Sequence, residues 1–211
     1  ELQYRYNQGA TEKDPAGILR FGIWHHFGKF DDQGVDAYGI PLASPASTGV
    51  AARRKNDGGV YGIIDQQLYR PEGGANDDGV TVFARAFANP SDRNLVAWYF
   101  DAGVTFAGLL PDRPKDKFGA TVLYTPLSRF ATEFDRQVSS SAGFYRPHDH
   151  SELSFEFTYV AEIVNGWTIQ PNIHRIIRPG GGRARVDPVS GTFGPPLKDA
   201  TVLGLRTTIV Y

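Results

Sequence analysis

The sequence ends on the stretch Ala200-Thr-Val-Leu-Gly-Leu-Arg-Thr-Thr-Ile-Val-Tyr211, which is rich in β-branched residues and free of proline and aspartate. Read with the two-residue period of a strand, one face carries Thr201, Leu203, Leu205, Thr207, Ile209 and Tyr211. A membrane strand of about 9–11 residues turns apolar groups to lipid and polar or small groups to a lumen. The ring of Tyr211 fits the aromatic girdle at a membrane interface. The stretch therefore favours the closing strand of an outer-membrane barrel over a strand of a soluble sandwich.

The composition agrees with membrane strands and excludes several other classes. The 211 residues carry a formal net charge of −1, so they lack the basic excess of a nucleic-acid-binding surface. The absence of cysteine excludes a disulfide scaffold and thiolate metal ligands. No apolar run reaches the ~18 residues of a transmembrane helix. The abundant Gly (24), Tyr (10) and Phe (14) suit strands that face lipid on one side and water on the other.

Eight further stretches show the same alternation. They span residues 2–7, 18–27, 60–69, 80–88, 95–106, 118–124, 152–163 and 167–174. In the seventh of them, Phe155 and Phe157 alternate with Glu156 almost without error along the whole stretch. Asn165-Gly166 predicts a tight hairpin before the last of them, and Pro171 predicts a weak point in the ladder because it lacks an N–H donor.

The connections between these stretches differ in length in a regular way. Those around residues 9, 73, 111 and 165 are short, as is the turn 89–94, whereas the loops at about 29–58, 126–150 and 178–199 are long. Outer-membrane barrels have short periplasmic turns and longer outer loops. Five rings lie at strand ends beside short connections, as an interfacial girdle requires: Phe106, Phe118, Tyr159, Trp167 and Tyr211. These features predict an all-β fold, with residues 1–211 in a single transmembrane antiparallel β-barrel domain.

Nine is an odd number of strands for such a barrel. Bacterial single-chain barrels have even strand counts, which places both termini on the periplasmic side. A ninth strand that ends at the short-turn side leaves Glu1 on the outer side. We therefore expect an odd number of further strands upstream, so that this sequence is the C-terminal part of a larger barrel.

Several motifs, in their order along the chain, resemble the OprB-type carbohydrate-selective porins. They are Tyr4-Arg5-Tyr6-Asn7-Gln8, Leu19-Arg20-Phe21-Gly22-Ile23-Trp24 with Gly28-Lys29-Phe30-Asp31-Asp32, Asp65-Gln66-Gln67-Leu68-Tyr69-Arg70-Pro71, residues 152–159, Gly166-Trp167-Thr168-Ile169-Gln170-Pro171, Pro179-Gly180-Gly181 and Val202-Leu203-Gly204-Leu205-Arg206-Thr207-Thr208. The resemblance implies the C-terminal half of a sixteen-stranded outer-membrane channel for glucose and related sugars, with about seven strands upstream. Departures within 34–57 leave the preferred sugar open.

The residues predicted to face inward suggest a sugar path. Ten of them are candidates: Arg20, Trp24, Asp65, Phe83, Arg85, Phe87, Tyr99, Asp101, Glu156 and Arg206. Rings can stack on a pyranose face, while carboxylates and guanidinium groups exchange hydrogen bonds with hydroxyls. A strongly anion-selective pore would carry a one-sided basic ladder. The mixed signs here favour a neutral sugar, and the alternative is a charge ladder that only stiffens the wall.

The turn 89–94 also predicts which of these residues meet. It sets Phe83, Arg85 and Phe87 opposite Tyr99 and Asp101, within one pair of residues. The preceding turn brings Asp65 to a similar height on the other side of Arg85. A row Asp65–Arg85–Asp101, flanked by rings, is expected on the inner face.

Other chemistries find little in the sequence. His25 and His26 point to opposite faces of a strand, and His148 and His150 have no further ligand set, so neither a metal site nor a cofactor is expected. No Gly-x-Ser-x-Gly elbow is present, so no enzyme is expected.

The expected location is the bacterial outer membrane. The expected partners are sugars as solutes, outer-membrane lipid, and the barrel-assembly machinery acting through the final strand at Tyr211, with no nucleic acid. Within transport, the alternative is a general or anion-preferring porin for small hydrophilic solutes. Outside transport, the alternatives are a soluble carbohydrate-binding sandwich and a barrel enzyme.

Overall fold

The computed structural model describes residues 1–9, 14–142, 151–182, 184–186 and 193–210. These residues form one nine-stranded antiparallel sheet, in the order β1-β2-β3-β4-β5-β6-β7-β8-β11, and a small sheet of β9 and β10. The strands are β1 (Leu2–Tyr6), β2 (Gly17–Asp36), β3 (Ala51–Tyr69), β4 (Gly79–Ala88), β5 (Trp98–Ala107), β6 (Lys117–Pro126), β7 (Ser151–Val164), β8 (Trp167–Ile177), β9 (Ala184–Val186), β10 (Phe193–Pro196) and β11 (Ala200–Ile209). The predicted all-β, antiparallel architecture is confirmed.

The connections of the large sheet alternate between its two ends, as the sequence predicted. One end, called the short-turn end, carries the connections 7–16, 70–78, 108–116 and 165–166. The other, called the loop end, carries 37–50, 89–97, 127–150 and 178–199. This alternation follows directly from a meander of antiparallel strands, since each strand returns the chain to the opposite end.

The large sheet is apolar on one face and polar on the other. Directly paired residues of an antiparallel ladder share a face, so the register places Phe21 with Gly62 and Ala86 with Phe100 on the apolar face. Large side chains on this face are open to the surroundings, Leu205 being 75 % exposed. The buried side chains among the described residues are polar apart from Ala107. A soluble sandwich would bury its apolar face, whereas exposed apolar and buried polar groups are typical of a membrane barrel.

Rings gather at the short-turn end of the apolar face. Phe106 and Phe118 stack with their centroids 4.5 Å apart and an angle of 9° between their planes. Tyr159 is paired with Phe118, and Trp167 is the first residue of β8. The predicted position at strand ends beside short connections is thus confirmed for Phe106, Phe118 and Trp167. Tyr159 lies five residues before the end of β7, and Tyr211 lies outside the described residues.

The loop predicted at 29–58 is shorter than expected. β2 continues to Asp36 and β3 begins at Ala51, so only residues 37–50 connect them. Arg53 is paired with Asp31 directly across the ladder, and Arg54 Nε lies 2.6 Å from Asp32 Oδ2. Polarity alone indicated a loop, but opposite charges facing each other across two strands stabilise a ladder.

The 126–150 connection contains a helix that the sequence reasoning did not predict. This helix, α1 (Arg129–Ala142), begins after Ser128, whose Oγ accepts a hydrogen bond from Ala131 N at 3.2 Å and so caps the N-terminus. None of the described helices is both long and apolar enough to cross a membrane. Residues 143–150, with His148 and His150, lie outside the described residues. The 178–199 connection holds a 3₁₀ turn at Pro179–Gly181 together with β9 and β10.

Pro171 interrupts the ladder on one side of β8. On the β11 side it is paired with Leu205 in an unbroken register. On the β7 side the pairing stops at Asn172 and resumes at Ile169. Because proline has no N–H to donate, the predicted weak point is confirmed, and it is confined to the β7–β8 pair.

Candidate functional site

The polar face of β2–β5, called the β2–β5 surface, holds eight of the ten candidate residues. On this surface, the residues paired across the four strands form rows, and each row lies two residues along β4 from the next. Three of these rows are Gly22–Tyr61–Phe87–Tyr99, Arg20–Ile63–Arg85–Asp101 and Ile18–Asp65–Phe83–Gly103. The predicted pairing of Arg85 with Asp101 and of Phe87 with Tyr99 is confirmed.

Arg85 and Asp101 form the central ion pair of this surface. Nε of Arg85 donates to both carboxylate oxygens of Asp101, at 3.0 Å each, and Nη2 donates to Oδ2. The Asp101 side chain is 1 % exposed and that of Arg85 is 49 % exposed, so the guanidinium group covers the carboxylate. No described residue accepts a hydrogen bond from Nη1 of Arg85, which leaves its two N–H donors open.

Asp65 does not join the row expected for it. It is paired with Phe83, whereas Arg85 is paired with Ile63. The Asp65 carboxylate instead accepts a hydrogen bond from Arg20 Nη1. Arg20 is the diagonal neighbour of Asp65 across the β2–β3 ladder, a distance that long side chains span. The expected row is therefore replaced by two ion pairs, each neutralising its own charge locally.

Three rings of the β2–β5 surface lie over glycines of the neighbouring strand: Tyr61 over Gly22, Trp24 over Gly59 and Phe83 over Gly103. A Cβ added to either of the last two glycines would lie 2.7 Å from a ring atom, and one added to Gly22 would overlap the ring. The glycines therefore let these rings lie against the sheet. Sequence reasoning missed Tyr61 and all three glycines as site residues, because the signal is a glycine facing an aromatic across a ladder and depends on the register.

Rings flank the guanidinium group of Arg85 on both sides along the strand. Towards the loop end, Phe87 and Tyr99 stack with centroids 4.9 Å apart and an angle of 27° between their planes. Towards the short-turn end, the Phe83 ring centroid lies 5.3 Å from Arg85 Cζ, within the range of a cation–π interaction. The arrangement offers flat apolar surfaces with hydrogen-bond donors between them.

The other two candidates lie on the polar face of β6, β7, β8 and β11, called the β6–β11 surface. Glu156 is paired with His174, whose Nδ1 lies 3.8 Å from its carboxylate. Glu156 shares a register row with Phe83 but is three strands away, or about 14 Å at the usual strand spacing. Arg206 is paired with Gln170 on the edge strand β11, and no described residue forms an ion pair with it. The structure does not bring these two to the β2–β5 surface.

At the loop end, the extension of β2 and β3 beyond His26, called the β2–β3 arm, is tied to the 89–97 connection. Gln33 N donates to Asp92 O at 2.7 Å, and Arg93 Nη1 donates to Lys55 O at 3.0 Å. Ion pairing with Arg93, then with Arg54, lowers the pKa of Asp92. These contacts hold the arm against the 89–97 connection, at the end of the sheet where the ring stack lies.

Buried Asp36 organises the loop 37–50 at the tip of this arm. Its Oδ1 accepts hydrogen bonds from Tyr38 N and Ile40 N, and its Oδ2 accepts one from Thr48 N, each at 2.9 Å. The bond from Thr48 N is the largest cause that lowers the pKa of Asp36 to about 2. The loop is therefore held by an ionised carboxylate at ordinary pH. Over the described part of the chain, no group of three or more His, Asp or Glu residues is placed to hold a metal ion.

Comparisons with known proteins agree with this architecture. Residues 1–211 match the model of a family described as carbohydrate-selective porin, OprB family. Porin B of Pseudomonas aeruginosa PAO1 is 25 % identical over 209 residues, which cover 96 % of this chain and 44 % of that protein. The high-pH structure of Pseudomonas putida OprB matches with a TM-score of 0.77 at 23 % identity, over 92 % of this chain and 44 % of that one. The family resemblance is confirmed, and this chain spans less than half the length of either relative.

Proposed function

The chain belongs to the OprB family of carbohydrate-selective porins, and we propose that it forms part of a sixteen-stranded β-barrel channel through which glucose and related sugars diffuse. Proteins of this family lie in the outer membrane of Gram-negative bacteria. The apolar face of the sheet accordingly meets lipid, and the polar face meets the water of the lumen.

Closure into a larger barrel is supported by the two edges of the sheet. In the described sheet, β1 is paired only with β2, and β11 only with β8. Unpaired backbone groups are costly in hydrocarbon, and a closed barrel removes them. Because the chain covers 44 % of its relatives, we propose that the remaining strands belong to the rest of the complete protein and that this chain is its C-terminal part.

The proposed preference for sugars is supported mainly by the guanidinium group of Arg85, which has aromatic rings on both sides. A hexose presents a flat, partly apolar ring face and a rim of hydroxyls. The stacked rings of Phe87 and Tyr99 match the first, and the open Nη1 donors of Arg85 match the second. Since Asp101 already neutralises Arg85, binding a neutral solute leaves no charge uncompensated.

A general or anion-preferring porin is the second candidate, and local charge pairing argues against it. An anion path requires unpaired cations along the lumen. On the β2–β5 surface, Arg20 is paired with Asp65 and Arg85 with Asp101. Arg206 and Arg5 favour the second candidate, since both lie on the polar face and no described residue forms an ion pair with either.

Sugar block of ion current in planar bilayers tests the proposed function. We expect the complete porin to conduct small ions and to lose conductance in a saturable way as glucose is added. Conductance that is insensitive to every sugar, together with strong anion selectivity, would support the second candidate instead.

Two further expectations belong to the same proposal. The final strand would be recognised by the barrel-assembly machinery through its C-terminal end at Tyr211, a residue outside the described part of the structure. The channel would act by diffusion, without enzymatic turnover and without a cofactor.

A further inference from the structure

A recess lined by both polar and apolar residues lies on the β2–β5 surface at its short-turn end, beyond Phe83. It has a volume of about 160 Å³, and its lining includes Gln8, Ile18, Asp65, Gln67, Asn76 and Thr81. A cavity needs only about 10–15 Å³ to admit one water, so the recess admits several waters. That space is comparable to one pyranose ring with its hydroxyls.

The frame of the recess is rigid because of Gln67. Gln67 is only 4 % exposed. Its Nε2 donates to Asp78 O at 2.8 Å and to Asn76 O at 3.2 Å, while its Oε1 accepts from Ala16 N at 3.3 Å and from Arg70 Nε at 3.1 Å. One buried amide thus joins two turns to the end of β3, with all its polar atoms in use.

Other polar groups of the lining remain open. Asp65 uses Oδ2 to accept from Arg20, and no described residue donates to its Oδ1. The hydroxyl of Thr81 and the side-chain amide of Asn76 likewise have no hydrogen-bond partner among the described residues. The recess therefore combines open hydrogen-bond acceptors and donors. On the side of the recess that faces the loop end, Phe83 is paired with Asp65.

We propose that this recess is a second sugar subsite. This inference rests on the proposed function, and the recess receives the same class of neutral hexose at the short-turn end of the channel. Thr81 lies four residues from Arg85 along β4, or about 14 Å at the usual rise per residue. A hexose is shorter than this distance, so the two subsites are separate stations. Asp65 is already paired with Arg20, which suits a neutral ligand better than a cation.

The test measures glucose block of the complete porin in planar bilayers, with the sugar added from one side at a time. Thr81→Val keeps the shape of the side chain and removes its hydroxyl. The control is Thr121→Val on the β6–β11 surface, where the hydroxyl also has no described hydrogen-bond partner. We expect Thr81→Val to lower the association rate from the short-turn side by about 2- to 10-fold, the effect of one net hydrogen bond. The rate from the loop side and the ion conductance should not change.

Three outcomes would overturn the second subsite. In the first, Thr81→Val behaves like Thr121→Val, which leaves the proposed function intact. In the second, the rate falls equally from both sides, which makes Thr81 a structural residue. In the third, the unmodified porin shows no block by any sugar, which overturns both proposals. If the Thr81→Val porin does not assemble, the same measurement is made on the Asn76→Ala porin, which changes an exposed turn residue.

Discussion

The β2–β5 surface and the β6–β11 surface lie on the same face of one sheet, yet they are built differently. The first carries five rings and two close ion pairs, with Arg85 held by two 3.0 Å bonds from one nitrogen. The described strand residues of the second include no Phe, Tyr or Trp, and its Glu156–His174 contact is 3.8 Å long. Both share the same apolar opposite face. The strand pattern therefore fixes which face is polar, and the residues within that pattern decide where rings and ion pairs lie side by side.

The largest expected effect tests whether the two halves are alike on the apolar face. Val104→Arg on β5 and Phe155→Arg on β7 should each destabilise the folded state by about 2–4 kcal/mol if the position is near the membrane midplane. The measurement is folding of the complete porin into lipid vesicles. Ser154→Arg, next to Phe155 but on the polar face, is the matched control and should cost little. Equal tolerance of arginine at Ser154 and Phe155 would count against the barrel.

A smaller effect tests whether the glycine-backed rings distinguish the two surfaces. Gly22→Ala must displace the ring of Tyr61, while Gly204→Ala on the β6–β11 surface displaces only the amide of Asn172. We expect Gly22→Ala to weaken glucose block by roughly 2- to 10-fold, the worth of one aromatic contact, and Gly204→Ala to change it less. Gly62→Ala controls for the loss of a strand glycine, because its Cβ would meet nothing within 4 Å. Similar effects at Gly22 and Gly204 would remove the distinction.

The smallest effect concerns the β2–β3 arm, which only the β2–β5 half possesses. The pKa of Asp36 is lowered from 3.8 to about 2, so its stabilisation is present above pH 4 and is lost as pH falls through about 2. Pepsin, normalised to its cleavage of an unstructured peptide, should cut loop 37–50 slowly at pH 4 and faster near pH 2. Asp36→Asn should allow cleavage at pH 4, whereas Asp31→Asn, at an exposed site, should not. A loop equally resistant at both pH values would contradict this role of Asp36.

Much of the fold could be predicted because alternation along a strand is a local property. The period of two placed Phe155 and Ser154 on opposite faces. The hairpin around 89–94 was expected to bring Arg85 to Asp101 within one pair, and it does so although the connection is longer, 89–97. The extent of the β2–β3 arm could not be predicted, since its polar residues are stabilised by partners more than twenty positions away, such as Arg53 for Asp31. The signals for α1 were present in Ser128 and in the acidic residue Glu133 three positions before Arg136.

The candidate site was predicted less completely than the fold. Which carboxylate meets which guanidinium depends on diagonal reach across a ladder, so Asp65 was expected near Arg85 but pairs with Arg20. The glycines beneath the rings were invisible for the same reason, since Gly22 and Tyr61 become neighbours only through the register of β2 and β3.

The most direct test compares glucose block with plain ion conductance in the complete porin for one change on each surface. Arg85→Ala removes the open donors of the β2–β5 surface and should weaken glucose block by roughly 10- to 100-fold, the range for a charged hydrogen bond. Glu156→Gln on the β6–β11 surface should weaken it less than about 2-fold, and Arg85→Lys, which keeps the charge but loses the planar fork, should fall between the two. We expect this order of effects. An Arg85→Ala porin with altered ion selectivity and unchanged glucose affinity would contradict it, because the ion pair would then be structural and the sugar would bind elsewhere.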